Sequence, residues 1–200
     1  MDWRKAWRIT GIVVLVLAVL AAVSGWYLVG HYRPTSAQAW DDTAGLHASV
    51  AASMRIRRLH RLVSRLLVPG SIVLAVFGVG AARSEGRLGA LRIWPAVAAL
   101  LASFTGFLLP WDQLALFAVT VGTNMQGFGP IFGNQVRFVL IGGSEVANST
   151  IQRSLVAHVL LGASLVLGAI APLLPRRRSG LADDGGGVLV EPPAEVAGVA

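Results

Sequence analysis

Hydrophobic residues in this chain are gathered into long runs without a charged side chain. Four such runs of 17 to 22 residues occur: Ile9–Gly30, Leu66–Ala82, Ile93–Trp111 and Ser154–Pro175. A helix needs about 20 apolar residues to cross a bilayer core, so three runs suffice alone, and the run from Leu66 suffices if its helix begins near Leu59. The pattern predicts an all-α membrane protein with four transmembrane helices, at about 9–30, 59–82, 92–110 and 154–174.

A fifth uncharged run, Gln113–Val136, differs from the others in composition. It contains Thr123, Asn124, Gln126 and Pro130 together with four glycines. These polar groups and helix breakers are too many for a segment that faces lipid. We therefore expect short surface helices and loops here, on the outer side of the membrane.

Basic side chains indicate the orientation of the helices. They cluster before the first helix, between the second and third, and after the fourth: Arg4, Lys5, Arg8; Arg83, Arg87, Arg92; and Arg176, Arg177, Arg178. Four spans place these clusters on one side, which the positive-inside rule makes cytoplasmic, with both termini there. The net charge of +7 is thus explained without a nucleic-acid partner. A second group, at the outer end of the second helix, breaks the rule and indicates an anionic group nearby: Arg55, Arg57, Arg58 and Arg61.

Composition sets further limits. Charged residues make up 14% of the chain, against about a quarter in soluble domains. There is no cysteine, which excludes disulfides, cysteine-ligated iron–sulfur clusters and thioether-attached haem on this chain. The first run is too long for the apolar core of a cleaved signal peptide. Residues 1–178 are expected to form the membrane domain, in a bacterial cytoplasmic membrane, and residues 179–200 a disordered cytoplasmic tail.

Two of the four histidines, His60 and His158, fall in the first turns of the second and fourth helices. Both helices enter from the outer side, so the two imidazoles lie at about the same depth. Opposed imidazoles between helices are the arrangement that bis-histidine haem ligation requires. Depth alone leaves an alternative equally open, in which both are interfacial histidines hydrogen-bonded to carbonyls. His31 and His47, in the outer loop, are expected to be solvated or structural.

Arginines and glycines favour the haem hypothesis. Arg57 precedes His60 by three residues and Arg153 precedes His158 by five, where guanidinium groups could neutralise two haem propionates. Gly25 and Gly106 lie near the outer ends of the first and third helices, where small residues leave space for a flat macrocycle. Small residues are also common in ordinary membrane helix packing, so the glycines alone are a weak signal.

The third helix ends in the sequence LLPWDQ, residues 108–113. Pro110 can start a new segment, Trp111 suits the membrane interface, and Asp112 and Gln113 would lie at the surface. Taken alone, the motif is an interfacial stop.

Several of these segments together resemble a known family. GFLLPWDQLALFAVTVGTN, PIFGN and GGSEVANSTIQRSLVAH resemble the amino-terminal half of cytochrome b, in particular the split form called cytochrome b6. SGWYLVGHYRPTSAQAW is similar to the end of that family's first helix, and IRRLHR to the start of its second. The similarity runs from about residue 8 to 175.

The resemblance implies a four-helix bundle with haem b between the second and fourth helices and quinone chemistry beside the outer haem. It implies roles for individual residues: axial ligands His60 and His158, the propionate-side Arg57, the space-making Gly25 and Gly106, and a quinol-site surface that follows Pro110, Trp111, Asp112 and Gln113.

The chain departs from the family where a second, inner haem would lie. A second histidine is expected 14 or 15 residues after each first one, but Leu74 or Ala75 and Pro172 or Leu173 stand there. Arg92 replaces the inner glycine of the third helix, and Arg65 and Pro69 are unusual within the second. These departures predict one haem b and no second one. The carboxy-terminal half of cytochrome b is also not on this chain, and a separate subunit could supply it.

The leading hypothesis is a single-haem cytochrome b subunit of a respiratory complex. It would pass electrons between quinol or quinone and a redox partner such as an iron–sulfur protein, a cytochrome c or a molybdenum enzyme. The alternative is a haem-bearing or haem-free membrane anchor for a peripheral oxidoreductase. A transporter has little support, because no inverted repeat or matched pair of broken helices is visible.

Overall fold

The computed structural model describes residues 2–44, 51–83, 90–124, 141 and 146–174. Within these residues it contains helices and no β-strand, so the predicted all-α class is confirmed. The six α-helices are α1 Trp3–Val29, α2 Ala39–Ala44, α3 Ala51–Arg83, α4 Trp94–Leu108, α5 Gln113–Asn124 and α6 Asn148–Ile170. Short 3₁₀ turns at Ala90–Arg92 and Ala171–Leu173 precede α4 and follow α6.

Local chemistry explains several helix boundaries. The Asp2 carboxylate accepts hydrogen bonds from the backbone N–H groups of Arg4 and Lys5, both 3.1 Å, and so caps the start of α1. α4 carries Pro95 in its first turn, where the missing N–H costs no helical hydrogen bond. α6 begins where the Thr150 hydroxyl donates to the carbonyl of Ile141 and accepts from the N–H of Ala147 at 3.2 Å.

Three helices, α1, α3 and α6, are long and apolar enough to cross a membrane. α4 has only 15 residues and is bent by 118° from α5, and this pair is the fourth candidate span. α4 ends at Leu108, before Pro110, and Trp111 has a φ of 51°, a backbone turn that no continuing helix adopts. The helical membrane bundle predicted from the sequence is therefore confirmed, with three candidate spans, or four if the bent pair α4 and α5 forms one span.

The four bundle helices are arranged as a ring in which α1 contacts α3, α3 contacts α4, α4 contacts α6 and α6 contacts α1. α3 and α6 thus face each other across the centre. We call the end at which α3 and α6 begin the site end, and the opposite end the far end. Exposed aliphatic side chains cover the outside of the ring, as expected for a surface in lipid.

Short helices and a loop cover the site end. The Tyr32 hydroxyl donates to the carbonyl of Leu109 at 2.6 Å, and the N–H of Ser36 donates to the Asn148 side chain at 2.7 Å. The first loop is thereby tied to α4 and α6. Burial and the nearby Asp42 raise the pKa of Tyr32 well above its usual value, so the phenol stays a donor.

Some helix bounds differ from the sequence-based ones. α3 starts eight residues before Leu59 because its basic first turns continue the helix beyond the uncharged run. The tail at 179–200, His47, Arg87, Arg176–Arg178 and the segment 125–136 lie outside the described residues.

Candidate functional site

His60 projects from α3 toward α1. Its Nδ1 lies 3.0 Å from the carbonyl oxygen of Ala21 and 3.0 Å from the hydroxyl oxygen of Ser24. A carbonyl oxygen can only accept, so Nδ1 carries the hydrogen and donates it. The Nε2 atom is then left with a free lone pair, which is the atom that a metal binds.

His158 repeats this arrangement between α6 and α4. Its Nδ1 lies 2.8 Å from the carbonyl oxygen of Ala102 and 3.4 Å from the Thr105 hydroxyl. Thr105 donates its own hydrogen to α4 carbonyls, as Ser24 does in α1. Both histidines are thus held in the same tautomer by the neighbouring helix, with Nε2 as the free ring nitrogen.

The two imidazoles meet across the centre of the bundle. Their ring centroids are 6.2 Å apart and their planes are inclined by 67°. With metal–nitrogen bonds of about 2.0 Å and about 1.15 Å from each nitrogen to its ring centre, two imidazoles on one metal ion have centroids about 6.3 Å apart. The spacing and the tautomers therefore fit an iron held between the two histidines. The interfacial alternative also receives its carbonyl hydrogen bonds, but they use only Nδ1 of each ring.

Gly25 and Gly106 lie directly against the two rings. A Cβ on Gly25 would lie 3.1 Å from Cε1 of His60, and a Cβ on Gly106 would lie 2.7 Å from Cε1 of His158. The space that each glycine leaves is therefore used by an imidazole. Any larger residue would displace the ring that the carbonyl bond holds.

The two arginines lie at the same end of the bundle as the imidazoles. Arg57 is half-buried, one turn before His60 on α3. Arg153 is exposed, five residues before His158 on α6. Both arginines thus precede the histidines on helices that begin at the site end.

The motif at residues 110–113 forms the corner between α4 and α5. The Asp112 carboxylate accepts from the N–H of Ala115 at 2.8 Å and so caps α5, while Gln113 is the first, exposed residue of that helix. The Thr43 hydroxyl contacts the carbonyl of Pro110 at 3.5 Å, and Trp111 takes the left-handed backbone turn. The Asp112 carboxylate therefore has a structural role at this corner.

His31 does not join the pair. Its Nδ1 bonds to the carbonyl of Tyr27 at 2.9 Å, and its exposed ring stacks on that of Tyr27. Within the described residues, no group of three or more metal-ligating side chains occurs. The opposed pair is therefore the candidate site.

Comparisons with known proteins identify a family. The family described as Cytochrome b/b6/petB matches residues 3–179. The chain belongs to the cytochrome b family. Membership implies that haem b binds between its membrane helices.

Individual members of the cytochrome b family are similar over most of their length. The menaquinol:cytochrome c reductase cytochrome b subunit of Bacillus subtilis (strain 168) is 30% identical over 159 residues, which cover 78% of this chain and 71% of that protein. The subunit of the same name from Geobacillus thermodenitrificans is 30% identical over 172 residues, 82% and 76% of the two chains. Cytochrome b6 of Prochlorococcus marinus (strain MIT 9515) is 28% identical over 176 residues, 86% and 80%.

In this cytochrome b, two of the positions where a second pair of histidines was expected are closely packed. Leu74 is 1% exposed, and Pro172 is packed so closely on α1 that a Cβ on Gly11 would lie 2.7 Å from its Cγ. Leu74 and Pro172 are two of the positions at which the resemblance led us to expect a second pair of histidines. Both positions therefore hold packed side chains that cannot bind a metal ion.

Arg92, which precedes α4, also lies at the far end of the helix bundle. Its guanidinium donates to the carbonyl of Gly78 at 3.0 Å and lies 4.3 Å from the centre of the Trp7 ring. This combines a charge-assisted hydrogen bond with a cation–π contact. The cation expected to obstruct a second macrocycle is thus a packed part of the fold.

Sequence reasoning missed the groups that orient the imidazoles. Two of the acceptors are backbone carbonyls, of Ala21 and Ala102, and carbonyl positions leave no trace in sequence. The hydroxyls do leave one, because Ser24-Gly25 and Thr105-Gly106 repeat the same hydroxyl–glycine pair on α1 and α4. That repeated pair was a usable signal for two equivalent histidine pockets.

Proposed function

We propose that this chain is a single-haem cytochrome b subunit, which transfers electrons between quinol or quinone and a redox partner in a respiratory complex. The observation that carries the proposal is the opposed pair His60 and His158, 6.2 Å apart with both Nδ1 atoms bonded to carbonyl oxygens. In this proposal, His60 and His158 would hold the haem iron through their Nε2 atoms. The iron supplies one-electron redox chemistry when bound.

The chain's own residues set the position and polarity of that site. Ala21 and Ala102 fix the ring tautomers through their carbonyls, and hydrogen bonding of this kind raises the basicity of a ligating imidazole. Arg57 and Arg153 would neutralise the propionates from the site end. Gly25 and Gly106 keep the ring pockets open. The haem is held by these groups without a covalent bond, because the chain has no cysteine.

One haem is proposed because no histidine stands at the positions where the resemblance implies ligands of a second haem. Leu74, Pro172 and Arg92 occupy the far half, and none of them can supply an imidazole. The far half acts in this proposal as a packed core.

The quinone contact is proposed at the corner formed by Pro110, Trp111, Asp112 and Gln113. This corner adjoins α5 at the site end, near the loop that Tyr32 ties to α4. Asp112 caps α5, so a part in proton release would require its carboxylate to leave the cap. We therefore assign it a positioning role.

The membrane orientation follows from charge. The first turns of α1, at the far end, carry three basic residues, Arg4, Lys5 and Arg8. Arg83 and Arg92 lie at the same end, which the positive-inside rule makes cytoplasmic. The site end is then extracytoplasmic, in a bacterial cytoplasmic membrane. Two of the named relatives are subunits of menaquinol:cytochrome c reductase, which favours a cytochrome c pathway and partner subunits, including a separate carboxy-terminal half.

The test is haem stoichiometry of the purified full chain in detergent, measured as pyridine haemochrome against protein. We expect one haem b per chain, reduced by added menaquinol analogue and blocked by quinone-site inhibitors. His60→Ala and His158→Ala should each lose the haem, whereas His31→Ala, a histidine at the same end with an exposed ring, should keep it.

Other outcomes separate the alternatives. Two haems per chain would overturn the single-haem proposal. Haem that menaquinol analogue cannot reduce would leave a haem-bearing anchor. Haem-free protein from haem-replete cells would leave a haem-free anchor.

A further inference from the structure

One face of α3 carries an exposed stripe that no part of the described chain covers. Its members alternate in spacing by four and three residues and all are exposed: Arg58, Leu62, Arg65, Pro69, Ile72 and Val76. Such spacing repeats every 3.5 residues and keeps side chains along one seam of a helix. It is the pattern by which a helix packs along a second helix at a small crossing angle.

Arg65 lies deep within the membrane. α1 and α3 are antiparallel, with Gly25 against His60 and Val14 close to Gly70. This register places Arg65 level with the middle of the uncharged run of α1. An intramembrane charge on the outside of a bundle is costly, and such residues normally face a partner or a cavity.

The same point of the stripe carries a second polar group. Pro69 has no backbone N–H, so the carbonyl of Arg65, four residues earlier, lacks its usual helical donor. The Arg65 guanidinium has no ion pair or hydrogen bond with any of the residues that the structure describes. A charged donor and a freed acceptor are thus presented together on a lipid-exposed face.

Lipid phosphates are too far away to compensate this charge. The middle of a bilayer core lies about 15 Å from either headgroup layer. An extended arginine side chain spans about 7 Å, so snorkelling covers only half of that distance. The counter-charge has to come from a group within the membrane.

A second copy of this chain cannot provide that group. Every one of its ten acidic residues lies outside α1, α3, α4 and α6. A symmetric pair of α3 helices would also bring two Arg65 side chains together. The complementary charge must come from a different chain.

We propose that the stripe on α3 is the docking surface for a transmembrane helix of another subunit, which carries an Asp or Glu level with Arg65. The alternating spacing supplies the packing seam, and the Arg65–carboxylate pair fixes the depth and the identity of the partner helix. The surface is separate from the imidazole pair and goes beyond the electron-transfer role proposed above.

The first test uses a photo-crosslinking amino acid in cells that make the native complex. Benzoylphenylalanine replaces Leu62, two residues after His60, and in a control it replaces the exposed Leu160, two residues after His158 and therefore at matched depth on α6. We expect position 62 to crosslink to a spanning segment of another chain that contains Asp or Glu. Crosslinks only to lipid, to a second copy, or to a segment without an acidic residue would overturn the proposal.

The second test measures how much of that crosslinked subunit is recovered with the affinity-tagged full chain. Arg65→Leu should lower recovery at least tenfold, because it leaves the partner carboxylate unpaired in the membrane, while Arg65→Lys should lower it less than threefold. Arg58→Leu, on the same stripe at the site end, should change it less than twofold. Neutralising the partner's acidic residue in the Arg65→Leu background should restore recovery.

Haem content distinguishes this proposal from the electron-transfer proposal. Arg65 is exposed, so Arg65→Leu should retain the haem spectrum of the unmodified chain. Recovery of the partner undiminished in Arg65→Leu would refute the docking surface and leave the haem site untouched. Should Arg65→Leu lose its haem as well, the Arg65→Lys variant and the crosslink from position 62 decide the question.

Discussion

The contact between Gly106 and His158 gives a sharp prediction for adding one methyl group. In Gly106→Ala the new Cβ would lie 2.7 Å from Cε1 of His158, so the ring must retreat by about 0.7 Å to reach ordinary contact. The ring is held against the same helix by a 2.8 Å bond from Nδ1 to the Ala102 carbonyl, and moving away from Gly106 would stretch that bond.

The magnitude follows from three contributions. Overpacking costs about 1–3 kcal/mol, and weakening the imidazole hydrogen bond costs about 0.5–1.5 kcal/mol. Replacing glycine by alanine inside a helix stabilises that helix by about 0.8–1.0 kcal/mol. We therefore expect Gly106→Ala to lower the free energy of unfolding by about 0.5–3.7 kcal/mol and to reduce haem occupancy.

Two other glycines make a graded series with Gly106. In Gly25→Ala the Cβ would lie 3.1 Å from His60, a smaller overlap that the ring can relieve by a few tenths of an ångström, so its effect should be close to neutral. Gly162 on α6 has no atom within 4 Å of a Cβ, and Gly162→Ala should be neutral or slightly stabilising. The assay is thermal unfolding in detergent together with haem per chain. Equal stability and full haem in Gly106→Ala and Gly162→Ala would refute the close imidazole contact.

Two further predictions concern the ends of the bundle. Because the folded-state pKa of Tyr32 is raised, its hydrogen bond to Leu109 stabilises the fold below the unfolded tyrosine pKa of about 10, and this stability is lost as the pH rises above that value. Tyr32→Phe should lower the free energy of unfolding by about 1 kcal/mol at neutral pH and abolish its decrease at alkaline pH. If the melting temperature of Tyr32→Phe fell at alkaline pH as steeply as that of the unmodified chain, Tyr32 would not be the titrating group. Arg92→Ala should cost about 2–3 kcal/mol through its lost bond to Gly78 and its ring contact, against less than about 0.5 kcal/mol for the exposed Arg83→Ala. Equal melting temperatures of those two variants would show that the contact contributes nothing.

The membrane helices could be predicted because uncharged runs are a direct signal of spanning segments. The helix boundaries could not be predicted in this way. α3 includes two turns of basic residues before its apolar run, and α4 stops before Pro110 although its apolar run continues to Trp111. Charge and hydropathy measure where a helix can lie in lipid. The hydrogen bonds that start and end it depend on local backbone geometry.

The histidine pair was visible in sequence because both residues fall at the same depth on helices of the same direction. The orientation of the two imidazole rings could not be predicted, because the carbonyl oxygens of Ala21 and Ala102 on neighbouring helices set it. The packing of the residues at the far end of the bundle was only partly predictable. The missing histidines were evident, but the packing of Pro172 against Gly11 depends on how two distant segments meet.

The off-centre position of the imidazole pair has an electrical consequence. Along α1, five residues, about 7.5 Å, separate Gly25 at the His60 ring from the end of the uncharged run at Gly30, out of roughly 32 Å for the whole run. Moving one charge across a full membrane potential of 100 mV takes about 2.3 kcal/mol, so an electron that enters from the site end crosses a field worth only about 0.5 kcal/mol. Electron entry at this site should therefore respond weakly to membrane energisation. As the single-haem subunit proposed above, the chain would exchange electrons along one face of the membrane and add little to the voltage across it.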